Sequence, residues 1–151
     1  MKQSYTESLY YHIRLAARYI KVFAEQLFEN ITDDISFEEF IALDVIASNN
    51  QICQRDLAKL ILKDRATTGR IASSLEELGL IKIVIDTKNN RLVKRLEMTK
   101  KGEDLREDIV KCLQPSFHKI SALVDEKEEQ KMIDMLKGCV KKISKIAEIQ
   151  I

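Results

Sequence analysis

Residues 51–101 read QICQRDLAKLILKDRATTGRIASSLEELGLIKIVIDTKNNRLVKRLEMTKK, and the order of signals in this stretch decides the fold. Ile52, Leu57, Leu60 and Ile61 line one side of a short helix predicted over 52–61, with Ala58 allowing close approach. Asp64 has the chemistry of a helix N-cap and Gly79 that of a left-handed C-terminal cap, so a second helix is expected to run to Leu78. Two helices joined by so short a connection predict a helix-turn-helix, the second being the recognition helix. Residues 80–85 and 92–98 are β-branched or alternating runs around Asp86-Thr87-Lys88-Asn89-Asn90-Arg91. Asn-Asn is turn chemistry, so these runs predict a hairpin.

The same stretch is where the positive charge lies. It holds twelve Lys and Arg against six Asp and Glu, a surplus of six, whereas the whole chain is +1 and its flanks are therefore −5. A basic module between acidic flanks points to a local contact with a polyanion. The first turns of the second helix are polar on nearly every side: Arg65, Thr67, Thr68, Gly69, Arg70, Ser73 and Ser74. Hydroxyls reach phosphates or base edges, and arginine pairs bidentately with guanine. Gly69 costs about 1 kcal/mol against alanine in mid-helix. Either the backbone needs clearance there or the preceding helix packs tightly on it. Lys88 and Arg91 tip the hairpin, with Lys94 and Arg95 along the strand, a ribbon suited to a narrow minor groove. Asp86 is placed to pair with Arg91 and fix its direction.

Outward from this module the chain reads as helix. From Ser4 to about Asn30 apolar residues recur at helical spacing, with more apolar surface than a small core covers. A partner helix, from a second subunit, is expected on it. Ser36-x-x-Glu39 is a capping box opening a helix that ends near Ser48-Asn49-Asn50. Thr99 caps a long helix that Pro115 is expected to kink or restart. The acidic run 125–129 opens a last helix with a stripe from Met132 through Met135, Leu136, Val140 and Ile143 to Ile146 and Ala147. The fold class is thus mainly α with a β-hairpin wing: a winged helix-turn-helix over 36–101, and a helical dimerisation part over 1–30 and 102–151.

At 151 residues, 45% hydrophobic and 32% charged, the chain has an ordinary globular composition. No apolar run approaches the ~18 residues of a membrane span and no signal-peptide core is visible, which predicts a cytoplasmic protein with no membrane contact. Cys53, Cys112 and Cys139 are widely spaced, and His12 and His118 form no ligand pattern with them, so neither disulfide framework nor metal site is expected. No phosphate loop and no nucleophile–base pair is present. Neither a cofactor nor an enzymatic activity is predicted.

Three short runs and a wing carry a family resemblance: Gln54-Arg55-Asp56-Leu57-Ala58, residues 64–70, residues 75–81, and Asp86-Thr87-Lys88-Asn89-Asn90-Arg91 leading to Met98-Thr99-Lys100-Lys101-Gly102. The chain resembles the MarR (multiple antibiotic resistance regulator) family across essentially its full length; the last run is similar to the family's wing signature, Asp-Pro-x-Asp-x-Arg followed by Leu-Thr-x-x-Gly. The resemblance implies a homodimer on a pseudo-palindromic double-stranded DNA operator. It also implies repression relieved by a small phenolic or anionic ligand or by thiol oxidation. DNA contacts would come from Gln54, Arg55, Arg65, Thr67, Thr68, Arg70 and Ser74, and from Lys88, Asn89, Asn90 and Arg91 on the wing. Thr87 stands for the usual proline, Asn89 for aspartate, and Asn90 for what is often a basic residue. With an apolar first wing strand, these departures imply a weaker grip and a shallower salt slope.

Two further sites have competing readings. Cys53 at a helix start beside Arg55 is a redox-sensor candidate or simply a weak cap. Tyr10, Tyr11 and His12 either line an effector pocket for a phenolic acid or pack the first helix. The alternative to a DNA-binding regulator is a winged-helix protein-interaction module without specific DNA binding.

Overall fold

The computed structural model describes residues 4–146. Its elements are α1 (Leu9–Glu29), α2 (Phe37–Ser48), β1 (Ile52–Cys53), α3 (Gln54–Leu60), α4 (Arg65–Glu77), β2 (Ile81–Lys88), β3 (Arg91–Met98), α5 (Lys100–Ser121) and α6 (Glu126–Ile146), after a single 3-10 turn at Tyr5–Glu7. They fall into two units, Met1–Phe37 and Glu38–Ile151.

The first unit is α1 and the turn after it. Ser8 caps α1 by accepting from the Tyr11 N–H. Phe28 is buried and its ring meets that of Phe37 edge-on at 5.5 Å. Tyr19, Ile20 and Val22 remain exposed on the same helix.

The second unit holds the basic module. Its core is built from Leu43 and Ile46 of α2, Leu57 of α3, Leu75 of α4, Leu96 of β3 and Ile109 of α5, each at most 1% exposed. Burying a side chain of this size contributes about 1.5–3 kcal/mol, so these positions set how the helix pair sits on its supports. Polar ties reinforce that arrangement. Arg106 of α5 donates to Asp44 of α2 at 2.7 Å, and Lys63, in the turn between α3 and α4, pairs with Glu38.

Both helices of the pair end in the same six-residue closure. After α4, Gly79 lies at φ 71°, its N–H donates to the Glu76 carbonyl, and the Leu80 N–H reaches Leu75. After α3, Leu62 takes the glycine's place at φ 54°, with Lys63 N–H donating to Ala58 at 3.0 Å. A left-handed non-glycine costs roughly 1–2 kcal/mol, and the leucine is 72% exposed, so its side chain does nothing to offset it.

The sheet is three antiparallel strands in the order β1-β3-β2. Residues 52–53, expected as helix, are instead a short strand opposite Leu96 and Arg95 of β3. Ile52 is β-branched and a free β3 edge lies beside it, so pairing overrides the helical spacing. The hairpin is longer than expected, with Lys88 opposite Arg91 and only Asn89 and Asn90 in the turn. Both asparagines have positive φ, 52° and 58°, the conformation of a type I′ turn.

Thr99 caps α5, accepting from the Gly102 N–H. Pro115 does not restart the helix, one of the two outcomes expected from sequence, since α5 runs unbroken from Lys100 to Ser121. The loss of one N–H, about 3 kcal/mol in a helix interior, is absorbed within 22 residues. α6 buries no residue, and Met132, Leu136, Val140 and Ile143 lie exposed along it at helical spacing. Ala147, placed at the end of that stripe, lies outside the described residues, as do positions 1–3 and 148–151 of the expected dimerisation part.

Candidate nucleic-acid interface

α4 is capped by Asp64, whose carboxylate accepts the Thr67 N–H at 2.8 Å. That backbone bond and the Thr67 hydroxyl hold the carboxyl below the usual carboxylate range. The helix then presents Arg65, Ala66, Arg70 and Ser73 to solvent while Ile71, Ala72 and Leu75 face the core. Ser73 belongs to this outer strip, and counting three residues on from Arg70 along a helix finds it.

Two sequence-based contacts are corrected, and a third packs against α4. Thr68 is 0% exposed and its hydroxyl donates to the Asp64 carbonyl at 2.8 Å, so it is a core residue. Ser74 turns inward too: its hydroxyl donates to Glu39 of α2 at 2.5 Å. Gln54 is half-buried, its amide nitrogen 3.0 Å from the place a Cβ on Gly69 would take. Gly69 therefore serves the packing of α3 on α4. Thr68 and Ser74 share one cause: hydroxyls satisfy backbone and neighbouring side chains as readily as DNA, so polarity alone does not tell direction.

The wing is fixed to α4 in two ways. The chain runs from α4 into β2 through Gly79, and Glu76 of α4 accepts the Ile83 N–H at 2.8 Å. At the far end Lys88, Asn89, Asn90 and Arg91 are all exposed. Asp86 does not hold Arg91. It pairs with Arg95, Nε to Oδ2 at 2.6 Å, and Arg95 also donates to the Gln51 carbonyl at 3.1 Å. Asp86 lies opposite Val93, so Arg91 and Arg95 are its two diagonal neighbours on one face. Arg95 has the additional acceptor beside β1, and that acceptor decides the choice. The Arg95 hydrogen bond draws the Asp86 carboxyl below its ordinary range, and Asp86 raises Arg95 in turn. Among the described residues Arg91 and Lys88 enter no ion pair, nor do Arg65 and Arg70; Arg55 lies 3.7 Å from Asp56. Val84, Ile85 and Leu92 are exposed beside the cations, an apolar admixture already visible in the first wing strand.

Cys53 precedes α3 but its sulfur makes no capping bond to the helix. The thiol donates to Asp56 Oδ2 at 3.0 Å, and this bond is the leading reason the Asp56 carboxyl is lowered. Its proton is thus engaged with a carboxylate, and among the described residues Cys53 is a free cysteine with no disulfide partner. Cys53→Ser is therefore expected to leave peroxide-induced release from DNA unchanged. A variant that holds DNA through a peroxide dose releasing the wild type would restore Cys53 as a sensor. Cys112 is exposed and Cys139 is half-buried.

Tyr10, Tyr11 and His12 do come together, with Tyr5 as a fourth ring the sequence reading left out. Tyr5 lies 6.0 Å from Tyr10 and 5.6 Å from Tyr11, and Tyr11 is 5.6 Å from His12, between centroids. Tyr10 is 65% exposed, so one edge of the cluster is open.

The chain is similar to solved structures of transcription regulators over more than nine-tenths of its length. The transcriptional regulator SlyA is 28% identical with a TM-score of 0.75, over 91% of this chain and 94% of that one. MepR of S. aureus, in a complex with DNA, is 22% identical with a TM-score of 0.75, over 93% and 99%. A MarR-family transcriptional regulator from Rhodococcus sp. RHA1 is 15% identical with a TM-score of 0.78, over 91% and 96%. No protein-family model and no curated protein matches the sequence. The chain thus has the fold of MarR-type regulators, winged helix included, and the solved structures named here are of transcription regulators.

Proposed function

We propose that this chain, built on the MarR-type fold, is a homodimeric, sequence-specific double-stranded DNA-binding regulator that represses by occupying its operator. The observation that carries the proposal is the pairing, in one unit, of an outward polar strip on α4 with a wing tipped by Lys88 and Arg91. The strip fits a major groove and the tip the adjoining minor groove. Asp86, the wing carboxylate nearer the tip, is occupied by Arg95, which leaves the tip cationic. A second copy is the partner the apolar stripe of α6 calls for, since a helix with no buried residue needs one to be stable. Two-fold symmetry then sets two α4 helices about one DNA turn apart. For release, the open aromatic cluster at the start of α1 supports a small phenolic or anionic effector. Such a ligand must bind the DNA-competent and incompetent states unequally.

The test is a titration of fluorescent duplexes against salt, on protein whose mass is followed by sedimentation. A dimer neutralising on the order of 6–10 phosphates should lose about a thousandfold or more in affinity between roughly 50 and 200 mM salt. Binding that is absent, or indifferent to salt, favours a protein-interaction module and sinks the regulator. A monomer at micromolar concentration would remove the two-fold operator.

A further inference from the structure

A directed chain of hydrogen bonds runs along the first turns of α4. The Thr67 hydroxyl and Asp64 Oδ2 are 2.8 Å apart, and Arg70 Nη2 lies 3.2 Å from the same hydroxyl. The directions are forced. An ionised carboxylate only accepts and a guanidinium only donates, so the single hydroxyl proton points to Asp64 and a lone pair receives Arg70. The other Asp64 oxygen takes the Thr67 backbone N–H, which ties the anchor to the helix itself.

Two consequences follow from this arrangement. Thr67 has no proton left to give to a base or a phosphate, although its residue type reads as a contact. Arg70 is exposed and spends one of its five N–H groups on Thr67, so the guanidinium still offers a two-pronged edge outward. Resting on the regulator proposed above, we infer that Arg70 reads a guanine edge in the major groove. Thr67, touching no DNA, sets the direction of that guanidinium from its anchor on Asp64. Thr67 is thus a positioning residue, and the specificity of α4 rests on a side chain already aimed before DNA arrives. Holding the fork in one direction reduces the rotamer freedom lost on binding, which is how preorganisation raises discrimination.

The experiment enriches duplexes from a random-sequence pool with the wild-type dimer. It then measures affinity for the selected site and for versions with each base pair replaced. Arg70→Ala should erase the preference for one G·C pair per half-site, on the order of ten- to a hundredfold. Thr67→Val keeps the side-chain shape and the backbone cap but removes the hydroxyl. It should lose about three- to tenfold of the preference at that same pair, with the salt slope unchanged, and Thr67→Ser should restore it. If Thr67→Val fails to fold, Arg70→Lys carries the test: charge and slope stay while the guanine preference falls. Full discrimination in Thr67→Val, or a loss at a different base pair, overturns the positioning role. Uniform weakening of all sequences by Arg70→Ala overturns the guanine contact in favour of a phosphate. A wild type that binds no duplex in a salt-dependent way fails earlier, at the regulator itself, and takes this inference with it.

Discussion

Gly102→Ala is expected to destabilise the protein by about 3 kcal/mol or more, the upper end of what overpacking a core costs. A Cβ built at Gly102 would lie 2.0 Å from the Leu80 carbonyl oxygen and 2.9 Å from its carbon, both backbone atoms. That carbonyl cannot step aside. It accepts the Thr99 N–H at 3.1 Å and, at 3.0 Å, shares the single Thr99 hydroxyl proton with the Gly79 carbonyl at 2.7 Å. Leu80 is itself buried, at the point where α4 turns into β2. The glycine lets the first turn of α5 lie flat on that junction, so widening it disturbs the recognition helix and wing together. For a chain of this length the loss amounts to a fall in melting temperature of roughly 6–12 °C, read by circular dichroism. Gly138→Ala is the control: no atom lies within 4 Å of its Cβ position, and alanine is the better helix former. Its melting temperature should match or exceed the wild type. A Gly102→Ala protein melting within a degree of the wild type would show that α5 does not approach Leu80 this closely.

This junction also shows which features were legible in the chain and why. Thr99 three residues before Gly102, Asp64 before α4, Gly79 after it and Asn89-Asn90 between strands all act through local backbone bonding, whose signature is written in adjacent residues. Features settled at a distance were not legible. Residues 52–53 became a strand because β3, more than forty positions on, offered an edge. Leu62 ends α3 in a glycine's conformation without a glycine's signal. Thr68 and Ser74 look identical in type to Thr67 and Ser73, yet two of the four point inward, because the helical phase is set by the core that Ile71 and Leu75 enter. Charge fared better than polarity. Arg65 and Arg70 of α4 and Arg91 of the wing tip are exposed, and the half-buried Arg95 has Asp86 as its partner, since burying an unpaired guanidinium costs far more than burying a hydroxyl.

The two wing arginines should separate affinity from stability. Arg91 is exposed beside the turn and enters no described ion pair, so Arg91→Ala should leave the melting temperature within the roughly ±0.5 kcal/mol of ordinary surface substitutions. On DNA it should cost about 1–3 kcal/mol for each wing engaged. That is at least a tenfold weakening, with a shallower salt slope, because fewer counterions are released. Arg95→Ala should behave in the opposite sense. Arg95 bonds Asp86 across the hairpin and the Gln51 carbonyl beside β1, so its loss loosens the three-stranded sheet and lowers the melting temperature. It also uncovers the Asp86 carboxylate within the wing, adding repulsion toward phosphate that Arg95→Ala, Asp86→Ala together should relieve. If Arg91→Ala binds duplex DNA as the wild type does while Arg95→Ala binds weakly at unchanged stability, the guanidinium entering the minor groove is Arg95. The hairpin would then have to meet DNA through the face it shares with β1 rather than through its tip.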